Sequence, residues 1–339
     1  GDAWASVPHD HARSKAYRWG EDGLAGISDI RSRLCLGLAL WNGKDPILKE
    51  RPFGVTNTEG NHGEDVKELY YYLDATPTHS YLKYLYKYPQ QAFPYAQLLD
   101  ENRRRGKDAP EYELLDTGIF DDDRYFDVFV EYAKASVDDI LMKITVHNRG
   151  SDEATLHVLP HLWCRNIWSW RKGIAKSELR QTGPGRIHAS GVYQSDYELV
   201  CENAPSLLFT ENETNRRRLY GEDVAAGFFK DGIHEAVVGG RVDTVNPAHI
   251  GTKAAAHYIL NVPASGSSEI RLRLTAVSAP AASGRLRRPA KVDPLASAFV
   301  DFDEVLKRRQ AEADEFYDGL QEGITDVDAR RIQRQAFAG

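Results

Sequence analysis

Cysteine is scarce in this chain and methionine scarcer, with three Cys and one Met in 339 residues. Cys35, Cys164 and Cys201 are scattered and odd in number, so they form no disulfide framework and have no metal-ligand spacing. That usage predicts a reducing, cytoplasmic compartment in which the thiols act as small buried hydrophobes. Long apolar runs are missing as well. Nothing approaches the roughly 18 consecutive apolar residues of a membrane span, so no membrane partner is expected. Gly1 to Asp10 contain no Lys or Arg, and the basic start of a signal peptide is therefore absent. Positive charge is in deficit, with a net charge of −7. This argues against a nucleic-acid footprint. The short runs Arg103-Arg104-Arg105 and Arg216-Arg217-Arg218 sit beside acidic residues and read as solvated faces. No GxGxxG after a strand, GxSxG, HExxH or Walker A string occurs, so dinucleotide, serine-hydrolase, zincin and P-loop chemistry have no support and no cofactor is expected.

What is present is mostly β. Hydrophobic residues make up 42% and charged residues 27%, which is ordinary for a globular chain. The length suggests about two domains or one large all-β domain with additions. Tyr125 to Tyr132 forms a β-rich run, and a turn-like link over Ala133 to Asp139 precedes the partly alternating Ile140 to Val146. Asn148-Arg149-Gly150 makes the next turn, and Ala154 to Leu159 the next strand. Similar segments recur at Gly191 to Cys201, Ser206 to Phe209, His257 to Val262 and Glu269 to Leu274. Short apolar runs divided by Gly, Asn and Asp are the pattern of a sandwich or barrel. One helix interrupts them, about Tyr95 to Arg105, between Pro94 and Gly106.

The character changes near Pro294, after a segment rich in Ala, Ser, Gly, Arg and Pro. Residues 1–293 are expected to form the sandwich, and 294–339 linker helices. Phe302, Val305, Leu306, Ala313, Phe316, Tyr317 and Leu320 recur at helical spacing, with Asp301 as the expected N-cap. A second helix is expected after Thr325, with Asp328 in capping-box position and Val327, Ile332, Ala336 and Phe337 on its face. These helices are expected to leave Phe316, Tyr317, Ile332 and Phe337 open for a helical domain beyond Gly339.

Three segments carry groups suited to chemistry. His9 and His11 lie two apart, but without an evident third ligand they favour a hydrogen-bonded loop over a metal site, and no metal is expected. Between Asn57 and Glu68, the residues Glu59, Asn61, His62, Glu64 and Asp65 surround Gly60 and Gly63. Glu59 with Glu64 or Asp65 could in principle pair as acid and base for glycoside cleavage. Contact with a sugar or a facing domain fits better, and a polar turn is the plainest reading. In the third segment, Leu162 to Trp170, strand alternation would set Asn166, Trp168 and Trp170 on one face. Such a face is either a sugar platform or an aromatic layer of the core.

The strings PHDHARSKAYRWGEDGLAGISD from Pro8, GNHGEDVKELYYYLDATPTHSYLKYLYKYPQ from Gly60 and LLDTGIFDDDRYFDVFVEYAKA from Leu114 resemble the amino-terminal region of bacterial glucosidases of glycoside hydrolase family 63. The eukaryotic α-glucosidase that trims N-glycans is related to these. The resemblance runs down to DARRIQRQAFAG at the end. It implies a large, supersandwich-like amino-terminal β-sandwich, linker helices, and an (α/α)6 catalytic barrel that this chain lacks. Family members invert configuration at α-glucosidic linkages with two carboxylates in the barrel. No position here matches those carboxylates, so no catalytic residue is assigned to this chain. An oligosaccharide would then be met through the missing domain. The competing expectation is an autonomous carbohydrate-binding module using the aromatic face around Trp168 and Trp170.

Overall fold

The computed structural model describes residues 13–16, 23–51, 53–54, 66–67, 69–106, 108–193, 195–277 and 297–339. In chain order the first elements are β1 (Leu24–Ser28), β2 (Leu34–Trp41), β3 (Phe53–Gly54), β4 (Val66–Lys67), β5 (Leu69–Ala75), β6 (Tyr81–Pro89) and α1 (Tyr95–Arg105). Then come β7 (Tyr125–Ser136), β8 (Asp139–Asn148), β9 (Ala154–Cys164), β10 (Glu178–Gly183), β11 (Arg186–Ser190), β12 (Asp196–Cys201) and β13 (Ser206–Thr210). The short helices α2 (Arg216–Tyr220) and α3 (Gly232–Val237) follow, and then β14 (Ile250–Gly251), β15 (Lys253–Val262) and β16 (Ser267–Val277). The chain closes with α4 (Phe302–Leu320) and α5 (Val327–Ala338).

The fold is mainly β. One sheet has five strands in the order β1-β2-β9-β15-β13, and a second has nine, β14-β10-β11-β12-β16-β8-β7-β6-β5. Their paired strands are antiparallel. Period-two alternation explains the core between them. Leu36, Leu38, Val158 and Leu162 from the smaller sheet meet Tyr86, Val128, Val130, Ile144 and Leu272 from the larger. The partial alternation of β8 also has a cause. Met142, Ile144 and Val146 enter this core, whereas Leu141 faces the other way and is buried there too. The turn between β7 and β8 is tighter than the sequence suggests, because Ser136 already pairs with Asp139.

What covers Leu141 is α4. Phe302, Val305, Leu306 and Ala313 bury against Tyr81, Ala133 and Leu141 on the outer face of the nine-stranded sheet. Tyr317 is also buried, and its hydroxyl donates to the Ala75 carbonyl at 2.6 Å. The expected four-residue open face is therefore corrected. Tyr317 packs on the sheet, while Phe316, Ile332 and Phe337 stay exposed. Two caps also differ from expectation. The Asp301 side chain makes no cap bond and instead accepts from Arg273 at 2.5 Å. The N-cap of α5 is Asp326, which accepts from the Ala329 amide at 2.7 Å. A competing guanidinium explains the first difference. The second is a boundary one residue further along.

Helix α1 matches the expected bounds, starting after Pro94 and closing at Gly106. Both arginine runs lie on solvated surfaces. Arg104 and Arg105 pair with Glu101, and Arg216 with Glu222.

Candidate functional site

The end of β9 builds the site. The strand stops at Cys164, whose amide donates to the Thr252 carbonyl at 2.8 Å. The chain then turns, and 165–170 is not a strand. Asn166 directs the turn. It is buried, donates from Nδ2 to the Asn212 carbonyl at 2.8 Å, and accepts from the Ser169 amide at 3.1 Å. A short polar side chain that bonds to the following backbone favours a turn over extension.

The shared face expected of Asn166, Trp168 and Trp170 is corrected accordingly. Trp168 leans on the main core and donates from its indole nitrogen to Glu213 at 2.9 Å. Trp170 points outward and is 39% exposed. Trp163, before the turn, is fully packed. A Cβ placed on Gly37 would lie 3.2 Å from its ring, so glycine is what lets the indole pack this closely against β2.

Asn166 and Trp170 do come together as walls of one cleft of about 690 Å³, with Glu211, Glu213, Tyr220 and Phe229 among its other walls. The two carboxylates follow β13, on either side of a bend at Asn212, and converge on one partner. Lys176 bridges them, with Nζ 2.9 Å from Glu211 Oε2 and 2.9 Å from Glu213 Oε1. Burial disfavours its charge, yet the two acceptors outweigh burial and hold the ammonium above its ordinary pKa. Thr252 donates a further bond to Glu211 at 2.8 Å. An exposed indole beside fixed carboxylates and an ammonium offers a flat apolar face together with acceptors and a donor.

Behind this cleft lies a buried polar layer. Lys253 on β15 meets Glu50 at 3.0 Å, and His161 on β9 has Nδ1 3.5 Å from the same carboxylate. Burial alone would raise the Glu50 pKa, but the charge and hydrogen bond of Lys253, helped by the charge of Lys230, bring it to about 2. Burial, reinforced by Lys253, lowers His161 to about 3, so it is neutral at physiological pH. Nearby, Lys230 donates to the Lys15 carbonyl at 2.9 Å, and Ser14 donates to Asp231 at 3.0 Å. These bonds tie residues 13–16 and the 229–237 segment over the five-stranded sheet, and Lys15 and Phe229 both reach the cleft wall.

Glu59, Asn61, His62, Glu64 and Asp65 lie outside the described residues, as do His9 and His11. Among the described residues, no group of three or more His, Cys, Asp or Glu is placed to hold a metal ion. No helix among them is long and apolar enough to cross a membrane. Glu211 and Glu213 were visible in the sequence only as acidic neighbours of an arginine run. Their spacing of two was the signal that could have marked them as a pair.

No family model matches the chain. Over its whole length it is 39% identical to a longer Saccharomyces cerevisiae protein, the uncharacterized protein YMR196W. The chain spans 34% of the length of that curated relative. A solved structure assigned as a kojibiose phosphorylase from the human microbiome overlaps with a TM-score of 0.24 and 6% identity, covering 63% of this chain and 21% of the other. An overlap that loose carries no argument about function.

Proposed function

We propose that this chain is the non-catalytic β-sandwich portion of a carbohydrate-cleaving enzyme, an inverting glucosidase of the glycoside hydrolase family 63 type, and that its cleft engages the oligosaccharide. The observation that carries the reading is the presence of a part-exposed indole and fixed polar groups in one hollow, Trp170 with Glu211 and Glu213. Sugars present an apolar ring face edged by hydroxyls, and those groups answer both. Cleavage is assigned elsewhere for a geometric reason. Both carboxylate oxygens lie 2.9 Å from the Lys176 ammonium. Their gap is thus shorter than the roughly 6.5–9.5 Å that an inverting pair leaves for water. The ammonium also occupies the space a reacting carbon would need. A relative far longer than this chain leaves room for a separate catalytic domain.

The test is calorimetric titration of maltose and longer α-gluco-oligosaccharides into the chain, beside a glucose-release assay. Saturable binding weakened about tenfold by Trp170→Ala is expected, with no glucose released. Binding indifferent to Trp170 would remove the cleft from the proposal. Hydrolysis abolished by Glu211→Gln would return catalysis to this chain.

A further inference from the structure

The core between the sheets does not close everywhere. Period-two alternation puts Leu82 of β6 and Ile140 of β8 on its inner face, in line with Tyr84 and Met142, and both pack against it together with Ile27 of β1. All three nevertheless stay only partly buried. The reason is a hollow of about 170 Å³ beside the edge strand β1, which they line together with Leu34 and Leu36 of β2 and Leu274 of β16. Protein interiors are otherwise packed to the density of organic crystals, and an opening larger than a water molecule is an exception in them.

Three tyrosine rings complete the walls, and each gives its hydroxyl proton to a partner within the protein. Tyr132 donates to the Ala25 carbonyl at 2.8 Å, Tyr197 to Asp138 at 3.0 Å, and Tyr193 to Asp29. Asp29 also accepts from the Arg31, Arg33 and Leu34 amides at 2.7–2.9 Å, so its carboxylate is fully used. The hollow is thus walled by aliphatic carbons and aromatic rings whose polar ends are already satisfied. At its rim Lys134 donates to the Thr78 carbonyl at 3.2 Å, and Ser28 to the Asp29 carbonyl at 3.1 Å. Asp138, exposed at the same rim, receives Tyr197 on Oδ1, and among the described residues no donor meets its Oδ2. That oxygen can accept one more bond. An engineered apolar cavity of about 150 Å³ takes up benzene. Aromatic rings also gain from edge-on or offset contact with other rings.

We infer that this hollow binds a small neutral phenol, one aromatic ring held among Leu36, Leu82, Ile140 and Leu274 with its hydroxyl donating to Asp138. The hollow shares no wall with the sugar cleft, and the inference stands apart from the sugar reading. Phenol, benzene and benzoate would each be titrated into the chain, labelled at Ile, Leu and Val methyls and followed by NMR. The same titrations would be made on Ile140→Trp and Asp138→Asn variants. Phenol is expected to saturate one site and to shift the methyl signals of the six aliphatic wall residues before any others. Benzene should fill the same site equally well in the parent and in Asp138→Asn, whose amide oxygen can still accept from Tyr197. Phenol should weaken about fivefold in that variant. Benzoate would set its carboxylate against Asp138 and should bind about tenfold or more weakly than phenol. Ile140→Trp, which extends an indole into the hollow, should abolish binding of both phenol and benzene. The methyl shifts of the parent decide the site by themselves if that variant fails to melt cooperatively. No saturable binding, shifts centred elsewhere, or phenol binding undiminished in a folded Ile140→Trp overturns the site. Benzoate as tight as phenol, or phenol indifferent to Asp138→Asn, overturns the partner assigned to the hydroxyl.

Discussion

The two sheets are covered on their outer faces by opposite means. Over the nine-stranded sheet, α4 lays down Phe302, Val305, Leu306 and Ala313 on Tyr81, Ala133 and Leu141. Ion pairs at the rim, such as Arg273 with Asp139 at 2.6 Å, only trim the contact. Over the five-stranded sheet there is an apolar patch around Ala39, Leu159, Ala255 and Ile233. Beside it lie charges taken out of water, chiefly Glu50 and Lys253. Non-directional apolar burial tolerates small shifts of a helix. A buried ion pair does not, since each partner loses hydration that only the other's position replaces. The helix-covered face is built for attachment. The loop-covered face is built for position, and the cleft is on that side.

The largest expected effect breaks the helix-covered side. A chain ending before Ser297 loses α4 and uncovers Tyr81, Ala133 and Leu141. Each large side chain of α4 that is buried contributes roughly 1.5–3 kcal/mol, and Phe302, Val305, Leu306 and Tyr317 are all buried. The shortened chain should be aggregated or unfolded by circular dichroism and gel filtration. A soluble, cooperatively melting product would make the helices an appendage of the sandwich.

Next comes the loop-covered side. Glu50→Gln strands Lys253 as an unpaired buried charge and should cost about 3–5 kcal/mol in urea unfolding. Glu50→Leu combined with Lys253→Met should recover most of that loss, since hydrophobic replacement of a buried pair is often neutral. If the double variant is as unstable as the single, the pair is not what holds this face.

Acid sharpens the same contrast. The Glu50 carboxyl is depressed to about 2, so the stability its charge contributes is complete above its ordinary value of 4.5 and is lost as pH falls through about 2. His161 stays neutral in the fold down to about 3, while the unfolded chain protonates it below its ordinary 6.5. Acidification from pH 6.5 toward 3 therefore favours unfolding through His161. Protection of β9 and β15 amides against hydrogen exchange should fall before that of β7 and β8. His161→Gln should flatten the dependence of melting temperature on pH over that range. Equal loss on both sheets, or an unchanged slope in the variant, would show that the buried histidine is not the sensor.

The same physics decides what could be read in advance. Tyr125 to Tyr132, Ile140 to Val146 and the helix from Tyr95 to Arg105 were legible because apolar periodicity and Pro and Gly boundaries are local properties. The helix-covered face was half legible. The spacing of Phe302, Val305 and Leu306 was plain, but nothing local says that Leu141 faces them. The loop-covered face was opaque, because Glu50, His161, Lys230 and Lys253 are far apart in sequence and paired only by the fold. In the cleft, the aromatic run from Trp163 to Trp170 suggested a strand, and only the bonds made by Asn166 turn it. Trp170 was found by composition. Lys176, which fixes Glu211 and Glu213, had no local sign.

The smallest expected effect separates position from contact within that turn. Asn166 is buried and makes bonds to Asn212 and Ser169, so Asn166→Ala should cost about 1–3 kcal/mol by leaving those partners unsatisfied. Trp170, four residues on, is 39% exposed. The ring is part-exposed and water can fill the space it leaves, so its truncation should lower stability less than Asn166→Ala does. Thermal melts of the two variants side by side measure the difference directly. A Trp170→Ala variant that melts like the parent yet binds maltose more weakly would assign the indole to ligand contact. If it instead melts as low as Asn166→Ala, the indole is part of the packing that holds the turn, and its exposure is incidental to the cleft.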